Sequence, residues 1–188
     1  MQRCGWVTQD PLYLAYHDRE WGVVQRDKRA LFEMLCLEGQ QAGLSWITVL
    51  KKRENYRAAF HQFDPQAIAL MDSTDIDALM INSGIIRHAG KIAAIIANAR
   101  AYLEMETKGE DFSHFVWQFV DNVQIVHDYP DYSQAPTTSE HAIALSKALK
   151  QRGFKFIGPT ICYSFMQACG LINDHQSNCF CHPDNQKT

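Results

Sequence analysis

Apolar positions along the chain recur with helical spacing and are punctuated by residues that start and stop helices. Asp10-Pro11 pairs an N-cap with proline at the first helical position and opens a helix through His17 toward Gly22. Asp27 predicts the cap of a second helix, with Leu31, Leu35 and Glu38 on one stripe, Phe32 and Cys36 beside it, and a stop before Gly43. Ser45 predicts the cap of a third, Trp46 to Phe60, and Asp64-Pro65 repeats the cap-plus-proline signal. Thr74 to Asn82 reads as a helix closed by Gly84, and Arg87 to Met105 as a long one. Thr137-Thr138-Ser139-Glu140 has capping-box spacing ahead of Ile143, Leu145 and Leu149, and Gly153 closes that helix. Gly158-Pro159 starts a last apolar helix that ends near Gly170. No alternating run of strand length is present, and residues 122–138, with two prolines and no stripe, read as a long surface loop. The pattern predicts an all-α protein of about eight to ten helices.

With 188 residues, 46% of them hydrophobic, the chain suits a single domain over 1–188. A division into two lobes is compatible with it, one from about 1–60 with 150–188 and one from about 61–149. The composition excludes a disordered, collagenous or coiled-coil chain. No apolar stretch reaches the roughly 20 residues of a membrane span; Ile92 to Leu103 already contains Asn98 and Arg100. The first residues lack the apolar segment of a secretory signal, so a cytoplasmic location is expected. A net charge of −3 does not announce a nucleic-acid binder, yet phosphate contacts need only a local patch. Lys51-Lys52-Arg53, Arg87-His88 with Lys91, and Lys147, Lys150, Arg152 and Lys155 are such runs, though each taken alone reads first as a solvated helix face. Of six cysteines, Cys36, Cys162 and Cys169 lie in apolar segments as small hydrophobes. Cys4 sits in a chain without an export signal, which favours metal or thiol roles over disulfides.

Three constellations carry chemistry. Cys4 and His17, with His175 and Cys179 spaced H-x3-C on one helical turn, compose a Cys2His2 set suited to a closed zinc site joining the two ends of the chain. Cys181 and His182 crowd the same segment, so spacing alone does not choose among them, and a dispersed His/Cys set of this kind also fits no site at all. Second, Asn82-Ser-Gly84-Ile-Ile86-Arg87-His-Ala-Gly-Lys91 joins two helices through a short turn in which Gly84 permits a left-handed residue. The N–H groups opening the second helix, with Arg87 and Lys91, would hold a phosphate, as in a helix-hairpin-helix DNA clamp. The same residues also fit an ordinary αα-hairpin with a glycine cap. Third, Trp6, Tyr13, Tyr16, Trp21, Glu38 and Trp46 gather rings around one carboxylate that the helical stripe makes partly buried. Such a set suits a planar cationic ligand, and also suits an aromatic core with a surface carboxylate.

Over nearly its whole length the chain resembles the 3-methyladenine DNA glycosylase I family. The resemblance rests on Arg3-Cys4-Gly5-Trp6, Asp10-Pro11-Leu12-Tyr13, Tyr16-His17-Asp18, Glu20-Trp21-Gly22 and Phe32-Glu33-Met34. It continues in the highly specific Leu37-Glu38-Gly39-Gln40-Gln41-Ala42-Gly43-Leu44-Ser45-Trp46, in Gly84-Ile85-Ile86-Arg87-His88 and in Gly153-Phe154-Lys155-Phe156, and closes with Gly158 to Gly170 and Asn173-Asp174-His175. It implies a helix-hairpin-helix glycosylase fold, one structural zinc on Cys4, His17, His175 and Cys179, and hydrolytic release of 3-methyladenine from alkylated double-stranded DNA by a monomer. It also implies a base pocket of Glu38, Tyr16 and Trp46 with Tyr13 and Trp6 nearby. Gly43-Leu44 would enter the gap left by the flipped nucleotide, with Gln41 alongside, and Gly84, Ile86, Arg87 and Lys91 would hold the DNA backbone. Strand-cleaving members of the wider superfamily carry lysine four residues after the hairpin glycine, where this chain has His88. No Val-Asp-x-His run is present downstream, and Glu110 and Asp111 lack that context, which points to a monofunctional enzyme using water. Two other classes compete: a zinc-stapled DNA-binding module without catalysis, and a thiol-metal or redox protein.

Overall fold

The computed structural model describes residues 2–186. Ten α-helices carry the described fold: α1 (Pro11–Arg19), α2 (Lys28–Gln41), α3 (Trp46–Leu50), α4 (Arg53–Ala59), α5 (Pro65–Ala69), α6 (Ser73–Met80), α7 (Ala89–Thr107), α8 (Phe112–Trp117), α9 (Glu140–Gln151) and α10 (Pro159–Ala168). The caps read from the sequence hold where a short polar side chain meets its own backbone. Asp10 accepts from Leu12 N, Asp27 from Ala30 N and Asp64 from Gln66 N, each ahead of its helix. α2 crosses the middle of the molecule and packs against α3, α7, α8 and α10, so its stripe of Leu31, Leu35 and Glu38 lies wholly inside.

Four expectations are corrected. The third helix breaks at Lys51-Lys52 into α3 and α4, and Ser45 makes no backbone cap because its hydroxyl bonds Thr48 Oγ1 at 2.8 Å. The run Ile47-Thr48-Val49 is a poor helix former, and its stiff β-branched side chains favour a short element. Ser139 is the cap of α9, accepting from Ala142 N, so the capping signal lies two residues beyond Thr137. Residues 122–138 are not only surface loop: β1 (Ile125–Val126) pairs in parallel with β2 (Ile172–Asn173), and Tyr129 bridges Gln176. His175 and Cys179 come after β2 on a turn, not on a helix.

A short connection, residues 81–88, joins α6 to α7, and the reason for its glycine differs from the one expected. Gly84 is absent from the left-handed residues; a Cβ there would instead lie 3.0 Å from Asn82 Oδ1 and 3.1 Å from Asn55 Cγ. Close approach, not turn handedness, requires the glycine. Gly43 does take the left-handed conformation, φ 78°, and ends α2 so sharply that Leu44 projects outward. Among the described residues no helix is long and apolar enough to cross a membrane.

Candidate active site

α1, α2, α3 and α10 converge on a cavity of about 210 Å³ lined by Trp6, Tyr13, Tyr16, Trp21, Glu38, Gln41, Trp46, Tyr132, Ser164 and Gln167. Every ring of the expected aromatic set is there. Trp6 meets Tyr13 and Trp21 at centroid distances of 5.0 Å each, and Tyr16 meets Trp46 at 5.5 Å. Glu38 is the one carboxyl on this lining. It is 2% exposed, and burial pushes its pKa from 4.5 up to about 8.

Buried polar atoms in folded proteins almost always find partners. Among the described residues four side-chain atoms do not: Trp6 Nε1, Glu38 Oε2, Trp46 Nε1 and Thr138 Oγ1. Three of the four belong to this cavity, which therefore offers one acceptor and two indole donors with nothing to satisfy them. Folding around such groups costs stability, and a ligand is what offsets it.

Tyr132, Ser164 and Gln167 complete the lining and were missed from the sequence. Ser164 and Gln167 stand one helical turn apart in the largely apolar α10, a polar pair that could have betrayed an inward face. Gln167 Nε2 donates to Asp174 Oδ2 at 2.7 Å, and Tyr163 OH donates to the same oxygen at 2.6 Å. Because a carboxylate only accepts, this bond fixes which way round the Gln167 amide sits.

Behind the aromatic wall lie Cys4, His17, His175 and Cys179, all buried, with one ligand atom from each within 4.8 Å of the others. Cys4 Sγ is 3.4 Å from His175 Nδ1, and Cys179 Sγ is 3.5 Å from both His175 Nδ1 and His17 Nε2. The outer ring nitrogens are engaged: His17 Nδ1 donates to Asp18 Oδ1 at 2.8 Å and His175 Nε2 to the Trp21 carbonyl at 2.9 Å. Both inner nitrogens are thereby left as acceptors aimed at the cluster. The two sulfurs receive backbone N–H bonds from Gln176 and Cys181, each at 3.4 Å, which suit thiolates. His182 is turned away toward the His127 carbonyl, and Cys181 falls in a separate grouping with His17 and Asp18.

The basic runs divide. Lys51 pairs with Asp10, Lys52 donates to the Ser83 carbonyl, and Arg53 grips Glu20 through both terminal nitrogens, so that run ties elements together. Arg152 pairs with Glu110, and Asp111 caps α8, which removes both acids from the chemistry. Arg87 is exposed beside the hairpin. Two expected phosphate contacts are corrected. Lys91 is 5% exposed and donates from Nζ to the Gln40 and Ala42 carbonyls at 2.8 and 2.6 Å, because the unpaired C-terminal carbonyls of α2 attract its charge. Ile86 N donates to Tyr56 OH at 3.1 Å and is already satisfied.

The sequence profile of methyladenine glycosylase matches residues 6–182. The chain belongs to the methyladenine glycosylase family. DNA-3-methyladenine glycosylase 1 of Escherichia coli (strain K12) is 64% identical over 186 residues, which are 99% of this chain and 100% of that protein. A crystal structure of 3-methyladenine DNA glycosylase I matches with a TM-score of 0.96 and 66% identity, covering 97% of this chain and 100% of the other. The Staphylococcus aureus 3-methyladenine DNA glycosylase I, solved for the structural basis of 3-methyladenine recognition, matches with a TM-score of 0.93 and 44% identity over 97% of each chain. In this methyladenine glycosylase, then, the orphaned carboxylate and indoles line a cavity walled by rings.

Proposed function

We propose that the chain removes 3-methyladenine from alkylated duplex DNA by hydrolysing its N-glycosidic bond, with the flipped base held in the cavity of Glu38, Tyr16 and Trp46. The observation that carries this reading is the buried, unpartnered Glu38 carboxylate facing rings and indole donors. Methylation at N3 makes the base a cation and weakens the bond from N9 to C1′. A flat cation stacked on rings, its exocyclic amine donating to Glu38, satisfies the group that folding left alone. When the bond breaks, its electron pair goes to N9 and the base becomes neutral. Water adds its oxygen to C1′ and gives up a proton. Glu38 thus favours the flipped cationic base over the stacked one, and its attraction fades once the base is neutral, which eases release of the product.

His88 caps α7, accepting from Lys91 N at 3.1 Å, and stands where strand-cleaving relatives carry lysine, which supports water and not an amine as nucleophile. The α6–α7 hairpin, with Gly84 at its turn and Arg87 outside, supports a helix-hairpin-helix grip on the DNA backbone. Gly43, Leu44 and Gln41 support the insertion turn: Leu44 is 41% exposed beside the cavity's Gln41.

One zinc ion per chain on Cys4, His17, His175 and Cys179 belongs to the same reading. Tetrahedral bonds of roughly 2.0–2.3 Å to nitrogen and sulfur span edges close to the separations found here, and all four ligands are buried. Such a closed site supplies no open coordination position, so its contribution is to hold the fold.

The direct experiment is release of free base from DNA methylated in vitro, separated by chromatography. Release of 3-methyladenine is the expected result; DNA binding without release would make the chain a non-catalytic module. Glu38 also sets a pH dependence. Its carboxylate fraction grows as pH rises through about 8, because burial lifts it from 4.5. Excision at limiting enzyme should therefore increase from pH 6 to pH 8 by roughly tenfold or more and level off only above about pH 9. Glu38→Gln should flatten that rise; a rise that persists in the variant would assign it to another group.

A further inference from the structure

The hairpin that would grip the backbone and the turn that would enter the duplex belong to different elements, yet buried polar bonds tie them together. Ile86 N, on the hairpin, donates to Tyr56 OH at 3.1 Å, and Tyr56 OH donates to Gln40 Oε1 at 3.1 Å. The same Gln40 donates from Nε2 to the Lys91 carbonyl at 3.1 Å. Lys91 Nζ closes the circuit on the Gln40 and Ala42 carbonyls. Gln40, Tyr56 and Lys91 are 1%, 0% and 5% exposed.

Lys91 is the costly member. It is a cation in the interior without a carboxylate partner, where a methionine would fill the same space at lower electrostatic cost. Its two acceptors are the Gln40 carbonyl near the C-terminus of α2 and the carbonyl of the capping Ala42, directly before Gly43-Leu44, and its own backbone lies in the first turn of α7. We propose that Lys91 is a positioning residue that locks the backbone-gripping hairpin to the insertion turn, so that docking of one places Leu44 and Glu38 of the other in register with the flipped nucleotide. The proposal rests on the glycosylase reading and adds to it a role for a charge that touches neither DNA nor base. Register matters because misplacement of about 1 Å costs on the order of a hundredfold in rate.

The test compares the parent with Lys91→Met and with Tyr56→Phe, which keeps the ring and removes only the hydroxyl linking Ile86 to Gln40. Three readouts are taken. Affinity for undamaged duplex across a salt series should be unchanged for Lys91→Met, since no phosphate contact is lost. Fluorescence of 2-aminopurine beside a tetrahydrofuran abasic site should report weaker insertion. Single-turnover release of 3-methyladenine from methylated DNA should fall by about tenfold for Lys91→Met and less for Tyr56→Phe. Parent-like insertion and release in folded Lys91→Met would overturn the coupling, as would a salt slope reduced by one ion. If Lys91→Met fails to fold, Tyr56→Phe decides in the same way. If the parent binds and inserts but releases no base, the catalytic reading fails while the insertion measurement still judges Lys91.

Discussion

Glu38→Gln should slow release of 3-methyladenine by about ten- to a hundredfold under single-turnover conditions, because a hydrogen bond to a charged group contributes roughly 1.5–3 kcal/mol. The substitution keeps the size of the side chain, so the rings of Tyr16 and Trp46 stay in place while the charge is lost. Affinity for undamaged duplex should hold, since phosphates dominate there. Stability should move the opposite way. Between pH 4.5 and about 8 the folded chain keeps Glu38 protonated while the unfolded chain ionises it, so the folded state binds more protons and stability falls as pH rises. Melting scans from pH 5 to pH 9 should show Glu38→Gln gaining on the parent as pH rises. A folded variant with the parent's excision rate would take Glu38 out of the mechanism.

Cys4→Ala and His175→Ala should each cost about 4 kcal/mol or more, which is the range reserved for lost metal sites and broken buried networks. For a chain of this length that corresponds to a fall in Tm of roughly 8–16 °C. Elemental analysis of protein purified without chelator should give one zinc per chain, and chelator treatment should lower Tm of the parent but not of the variants. Zinc-free protein with the parent's melting temperature would remove the metal. The damage should reach the cavity, because Trp21 stacks edge-on against His175 at 4.6 Å and Trp6 against His17 at 5.4 Å.

Much of this architecture is legible in the sequence because caps act over two or three residues. Asp10-Pro11, Asp27 and Asp64-Pro65 start their helices where a side-chain oxygen meets its own backbone, and Gly43 stops α2 through a left-handed turn. Glu38 is legible as well, since its stripe with Leu31 and Leu35 buries it. The features that stay hidden depend on partners far along the chain. Nothing near Ile125 announces its pairing with Ile172, and nothing near Lys91 says that its ammonium turns inward to α2. His175 and Cys179 have a spacing that suits a helix, but the turn after β2 brings them to the same ion-sized space by a different path. The need for glycine at position 84 is visible in the sequence, but its cause is not, since crowding by Asn55 leaves no local trace.

The stitching of Cys4 and Gly5 to residues 175–179 also dates the moment at which the molecule becomes competent. Gly5 N donates to the Gln176 side chain, and His175 buttresses Trp21. A ribosome adds on the order of 5–20 residues each second, and helices made early wait for their later partners. Trp21 is synthesised early, yet His175 and the strand residue Asn173 that brace its segment come more than 150 positions later. A nascent chain halted after α10 would carry Glu38 and every ring of the cavity wall, but no brace behind them. On the proposed reading, a firmly held base therefore waits on residues 171–179, which brace the rings from behind.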